Sequence, residues 1–173
     1  QAPHHNAPGV AATMRSAETI NRLIREGKLA RPRRTIRVLG MGECYGTNWY
    51  LDHNMARVRR TIAAMNIDSP AGLQHLAGTE HTWILNPHSA ASYVDAFTLK
   101  LAEEYYPSVG RPWLSTPHRS STDNYLGDPT IGIPTVMPRG GYGVDAHHNS
   151  ADTPADPVEQ VPEEQVPVEQ VPE

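Results

Sequence analysis

Two kinds of apolar spacing alternate along this chain. Val10, Met14, Ala17, Ile20, Leu23 and Ile24 recur at helical intervals, which predicts an amphipathic helix with one inward face. Gly27 and then Arg31-Pro32-Arg33 interrupt that pattern, and Thr35-Ile-Arg-Val-Leu39 follows as a short apolar run, which predicts a strand over 35–39. Trp49, Tyr50, Met55 and Val58 return to helical spacing before a second strand-like run at 62–67. A helix between two strands implies that the strands lie parallel. Residues 69–79, with Pro70, Gly72 and Gly78, read as a loop, and Thr82-Trp83-Ile84-Leu85 as a short strand closed by Asn86-Pro87. The next helix carries Tyr93, Val94, Phe97, Leu101 and Tyr105 on its apolar face, with Ser89 as its expected cap and Pro107 and Gly110 as its stop. Residues 111–128 are loop-rich, and 132–137 reads as a strand in which Pro134 implies an edge position or a strand beginning.

Strands that alternate with helices predict an α/β fold: a central mostly parallel or mixed sheet with helices on both faces. The composition then changes. From Pro157 the chain repeats Val, Glu, Gln and Pro to Glu173, a sequence that favours extended, solvated chain over a packed core. The expected division is therefore a domain over 1–156 and a tail over 157–173. About 150 residues suffice to bury a core. The formal net charge is -4, with the arginines concentrated before residue 61, so a general nucleic-acid surface is not indicated. No apolar run approaches the roughly 20 residues of a membrane-spanning helix. One cysteine, Cys44, leaves no internal disulfide framework.

Candidate chemistry collects where the apolar runs end. Glu43 stands between Gly42 and Cys44 after the first predicted strand, and Asp68 ends the second, before Ser69-Pro70. Acids released at the carboxyl ends of strands in an open α/β sheet sit in the crevice where such folds gather ligands. A third polar stretch, His147-His148-Asn149-Ser150-Ala151-Asp152-Thr153-Pro154, has adjacent imidazoles and no apolar periodicity. Nine histidines are many for this length, and His4-His5 forms a second adjacent pair. By residue type, Glu43, Asp68 and His148 meet the needs of a hydrolytic zinc centre: oxygen or imidazole ligands from separate strand ends, and a carboxylate outside the ligand set to accept a proton from water. The plainer alternatives are an acid at a helix start for Glu43, a turn-forming aspartate for Asp68, a hydrogen-bonded loop histidine for His148 and small core filler for Cys44.

Taken in order, these segments resemble the zinc aminopeptidases of metallopeptidase family twenty-eight, the group that includes glutamate carboxypeptidase II and the transferrin receptor. The resemblance is carried by His5-Asn6-Ala7-Pro8-Gly9-Val10-Ala11, by the stretch from Arg34 to Gly46, by Asn66-Ile67-Asp68 and by His148 to Pro154. Ser121-Thr122-Asp123-Asn124 with Gly132-Ile133-Pro134 supports it. It spans roughly residues 4–156. It implies Glu43 as general base, Asp68 as a zinc ligand and His148 as a ligand of a neighbouring zinc, with one or two zinc ions and a peptide substrate cleaved at its N-terminal bond. It also implies a secreted or extracellular protein.

Two positions depart from the family pattern. His5 falls where the family has a metal-bridging aspartate, and Cys44 where it has the second glutamate of a Glu-Glu pair, so both enter as altered ligand candidates. The family's first ligand would precede Gln1, which implies a partial domain whose site is completed by a preceding segment. Two alternatives follow: a non-catalytic relative that uses the same scaffold for binding or self-assembly, and a glutaminyl-cyclase-like acyltransferase with one zinc.

Overall fold

The computed structural model describes residues 7–70, 80–118 and 122–140. Its regular elements are α1 (Ala7–Arg25), α2 (Tyr45–His53), α3 (Met55–Val58), β1 (Ala64–Met65), β2 (His81–Ile84), α4 (Tyr93–Ser108), β3 (Trp113–Thr116) and β4 (Thr135–Arg139). Short 3-10 turns lie at His88–Ala90 and Thr122–Gly127. The strands form one open sheet in the order β1-β4-β2-β3. β1 runs parallel to β4 and β2 parallel to β3, while β2 and β4 are antiparallel. The molecule is thus α/β with a mixed sheet, as the alternation of patterns implies.

The β2-α4-β3 unit is the parallel crossover of that sheet, and its helix is held at its start by side-chain chemistry. Ser92, not Ser89, is the cap: its hydroxyl accepts from the Val94 N–H at 3.2 Å, and Asp95 accepts from the Ser92 N–H at 2.7 Å, closing a capping box. The other Asp95 oxygen accepts from both the backbone and the side-chain nitrogen of Asn86, at 2.9 and 2.8 Å. Asn86 is buried and passes the connection on, its Oδ1 accepting from the Thr135 N–H at 2.9 Å. One asparagine therefore ties the end of β2, the start of α4 and the start of β4.

The inward face of α4 is not the aromatic one. Val94, Thr98, Ala102 and Tyr106 are buried, and Tyr93, Phe97, Leu101 and Tyr105 face outward. Both stripes repeat every four residues. The small Thr98 and Ala102 let the helix approach the sheet, and Tyr106 adds a polar anchor. The Trp83 indole N–H donates to the Tyr106 hydroxyl at 3.1 Å, that hydroxyl bonds His81 Nδ1, and the Tyr106 ring stacks on Trp113 with centroids 5.6 Å apart. On α2 and α3 the inward residues are likewise Thr47, Leu51 and Val58, with Trp49 and Met55 exposed. Leu51, Val58 and Ile133 form a cluster backed by Tyr50, Ala64, Tyr125, Leu126 and Ile131. Thr135, Val136, Met137 and Pro138 are buried in succession, so both faces of β4 are covered.

The predicted strand at 35–39 is not part of the sheet. Residues 30–42 carry no strand pairing, and Ile36, Val38 and Leu39 are exposed, Ile36 at 57%. Arg37 instead donates to the Tyr50 hydroxyl at 3.2 Å. Strand-forming residues supply a pleated surface but no pairing partner, and the described part of β1 carries its ladder on the β4 side. The predicted parallel pair of 35–39 with 62–67 is therefore replaced by β1 with β4.

Pro138 explains why β1 is so short. Ala64 N–H donates to the Pro134 carbonyl at 2.8 Å and Asn66 N–H to the Val136 carbonyl at 3.0 Å. The next donor of such a parallel ladder is the N–H of residue 138, which proline lacks. Pairing ends there, and Ile67, Asp68 and Ser69 turn off the sheet. Pro134 stands at the strand beginning, as one of the two sequence readings has it, but β4 is an inner strand and not an edge.

Candidate functional site around the Cys44 turn

The turned-off end of β1 meets two other segments. α1 arrives first: a Cβ at Gly9 would lie 2.3 Å from the Ile67 carbonyl oxygen, so only glycine lets the helix start pass so close to this strand end. Ser69 is buried with φ 47, its hydroxyl donates to Asp68 Oδ1 at 3.0 Å, and its carbonyl accepts from the Gly140 N–H at 2.7 Å. The chain beyond β4 therefore leaves from beside Asp68.

A separate turn carries Glu43 and Cys44. Cys44 has φ 57 and ψ -53, and the Tyr45 N–H donates to the Glu43 carbonyl at 2.6 Å. An i to i+2 bond around such a residue is a γ-turn of the rare, strained hand. Strain of this kind persists where surrounding structure over-determines it, and here the restraints are visible. Cys44 N–H donates to Asp123 Oδ1 at 2.9 Å, and the Tyr125 hydroxyl donates to the Cys44 carbonyl at 3.0 Å. Both partners lie in the 3-10 turn Thr122–Gly127. The same Cys44 carbonyl accepts from Asn48 N–H at 2.9 Å, which starts α2, and Gly42 and Gly46 bond across the turn at 2.9 Å.

The electrostatics agree with the geometry. Burial pushes the Cys44 thiol up, and the negative charges of Asp123, Glu43 and Asp68 push it further. Burial likewise raises the Tyr125 phenol, with Asp123 and Cys44 adding to it and the Thr47 hydroxyl opposing. The charges of three acids from three separate segments thus act with burial against ionisation of the thiol, which favours its neutral form. A charged thiolate nucleophile is disfavoured there.

Of the sequence candidates, Glu43 and Cys44 share one turn, and Asp68, from the next apolar run, acts on the Cys44 thiol through its charge. Glu43 is exposed at the mouth of the turn, and Asp68 is half-buried. His5, His148 and its neighbour His147 lie outside the described residues. Their attachment points do not: His5 precedes α1 by two positions, and His148 follows Gly140 by eight. Asp123 and Tyr125 were missed as partners of the turn. They stand 79 and 81 residues from Cys44, and no local pattern announces a contact of that range.

Among the described residues, no three His, Cys, Asp or Glu side chains stand close enough together to hold a metal ion. No helix among them is long and apolar enough to cross a membrane. Comparison with protein-family models, with curated proteins and with solved structures gives no match.

Proposed function

We propose that this chain is a zinc-dependent aminopeptidase-like hydrolase, with Glu43 as general base and Asp68 as a metal ligand. The observation that supports the reading is that the charges of Glu43 and Asp68, from separate segments, both bear on the Cys44 thiol, and that the Asp68 strand end is also met by the start of α1 and the exit of β4. Gly9 lies against the Ile67 carbonyl, and the Gly140 N–H donates to the Ser69 carbonyl.

The described donors alone do not complete a metal cage, so the imidazoles of His148 and His5 are the further ligands of this proposal. Cys44 is a weaker candidate, because three neighbouring acids oppose the thiolate that zinc would need. A bound zinc ion would acidify a water molecule and polarise a peptide carbonyl. The chain's own part is then to orient and to move a proton. Asp68 is held by the Ser69 hydroxyl, which fixes one carboxylate oxygen. Glu43 is exposed and reaches outward from a rigid turn, the placement a base needs to accept a proton from water and return it to the leaving amine. The substrate is a peptide with a free N-terminus, whose ammonium group suits a patch of gathered acids. Secretion belongs to the same reading.

Hydrolysis of aminoacyl anilides by the zinc-loaded chain tests it. Activity that falls by at least a hundredfold in Glu43→Gln supports the assignment; activity indifferent to that change refutes it.

A second reading has an observation of its own. Tyr93, Phe97, Leu101 and Tyr105 form an exposed apolar stripe along α4, with Phe97 63% exposed, beside the exposed Ile62 and Met65 at the open edge of the sheet. Exposed apolar surface of this extent marks contact with another molecule. It favours a binding or assembly role on the same scaffold, with or without catalysis.

A further inference from the structure

We infer that Asp123 is a positioning residue for Glu43, acting through the Cys44 peptide. The inference rests on the hydrolase reading above for its catalytic consequence, but the clamp itself is a matter of geometry. A γ-turn of this hand is rare and strained, and a cysteine at φ 57 has no intrinsic preference for it. Left to itself the Glu43–Cys44–Tyr45 segment would relax toward an ordinary helix start, swinging the Glu43 side chain with it.

Two restraints oppose that relaxation, one on each side of the same residue. Asp123 Oδ1 holds the Cys44 N–H at 2.9 Å, and the Tyr125 hydroxyl holds the Cys44 carbonyl at 3.0 Å. The bond to Asp123 is to a charged acceptor, the stronger class of hydrogen bond. Asp123 and Tyr125 alternate on the Thr122–Gly127 turn, whose Leu126 and Tyr125 pack against the Leu51, Val58 and Ile133 cluster. The clamp is thus anchored in the core while the residue it aims lies at the surface. A base displaced by about 1 Å loses on the order of a hundredfold in rate, so the bond that fixes the turn carries catalytic weight without touching substrate.

Cys44 is the only cysteine, so 15N-cysteine labelling of the full chain gives a single amide resonance that reports this bond directly. Asp123→Ala is expected to speed exchange of that amide at least tenfold and to lower kcat for an aminoacyl anilide by about a hundredfold with KM little changed. Asp123→Asn keeps an acceptor oxygen and should recover most of both. Adding Cys44→Gly to Asp123→Ala should also recover much of the lost kcat, because glycine adopts φ 57 without strain. Tyr125→Phe releases only the carbonyl side and gives a smaller loss, which covers the case in which Asp123→Ala does not fold. Unchanged exchange in Asp123→Ala overturns the clamp. Faster exchange with unchanged kcat overturns its link to Glu43. No hydrolysis by the unmodified zinc-loaded chain overturns the hydrolase reading and with it the catalytic role of the clamp, a failure recognised by exchange that still responds to Asp123→Ala.

Discussion

Replacing Tyr106 with phenylalanine removes one oxygen from the middle of a hydrogen-bonded relay and leaves the ring in place. An indole nitrogen can only donate, so the Trp83 N–H uses the Tyr106 oxygen as acceptor at 3.1 Å. The Tyr106 proton is then directed to His81 Nδ1, and the Pro70 carbonyl accepts from the same imidazole. With Nδ1 occupied as an acceptor, the ring proton of neutral His81 sits on Nε2. Tyr106→Phe orphans the Trp83 donor and the His81 acceptor together. An unsatisfied buried polar group costs about 1–3 kcal/mol, and both partners here are half-buried, which favours the lower half of that range for each. The stack on Trp113 and the core volume survive, so no cavity term is added. The expected destabilisation is about 2–4 kcal/mol, a sizeable share of the 5–15 kcal/mol typical of a domain. Urea unfolding followed by tryptophan fluorescence measures it, and a double-mutant cycle with Trp83→Phe should return a coupling of about 1 kcal/mol or more. A loss below about 0.5 kcal/mol, with no coupling, refutes the relay.

Three further outcomes follow from the same packing. Burial holds His81 below its ordinary pKa of 6.5, with Arg111 adding to the shift and the Pro70 carbonyl opposing it. The unfolded chain therefore binds the proton first as pH falls, so stability is fully present above 6.5, declines below it and levels off beneath the folded-state pKa; urea midpoints from pH 8 to pH 5 should show that decline, and His81→Gln should flatten it. Asn86→Ala strips the Thr135 N–H and Asp95 of their shared partner inside the core, and should cost about 3 kcal/mol in the same assay, whereas a value near zero would mean that water replaces the amide. Gly9→Ala gains about 1 kcal/mol of helix propensity but drives a methyl group to within 2.3 Å of the Ile67 carbonyl; net destabilisation is expected, and a stabilised variant would mean that α1 does not dock on the β1 end.

The sequence pattern was most legible where spacing alone decides structure. Helical periodicity located α1 and the helix at Tyr93–Ser108, and the short apolar runs located β2 and, within a few residues, β1 and β4. Periodicity did not say which stripe of a helix faces inward. On α4 the more apolar stripe lost to Val94, Thr98, Ala102 and Tyr106, because small residues allow close approach and a capping box fixes rotation at Ser92 and Asp95. Nor did it say which strand-like runs find partners: 35–39 has the right residues and no pairing. Pro138 lies just beyond the predicted strand 132–137, yet it sits in an inner strand and ends the β1 ladder.

The candidate site was legible in part for the same reason. Glu43, Cys44 and Asp68 stood out as polar residues at the ends of apolar runs, and each of their segments is held by contacts from elsewhere in the chain. Those contacts are long-range. The bond from the Cys44 N–H to the Asp123 carboxylate and the close pass of Gly9 over the Ile67 carbonyl each involve backbone atoms, to whose partners composition and spacing are blind.

The proposed zinc site is tested most directly by titrating zinc into the full chain by calorimetry, alongside Asp68→Ala and His148→Ala. The account predicts saturable binding near one or two ions per chain that each substitution weakens by tenfold or more. Binding unchanged in both variants, or no binding at all, would contradict it.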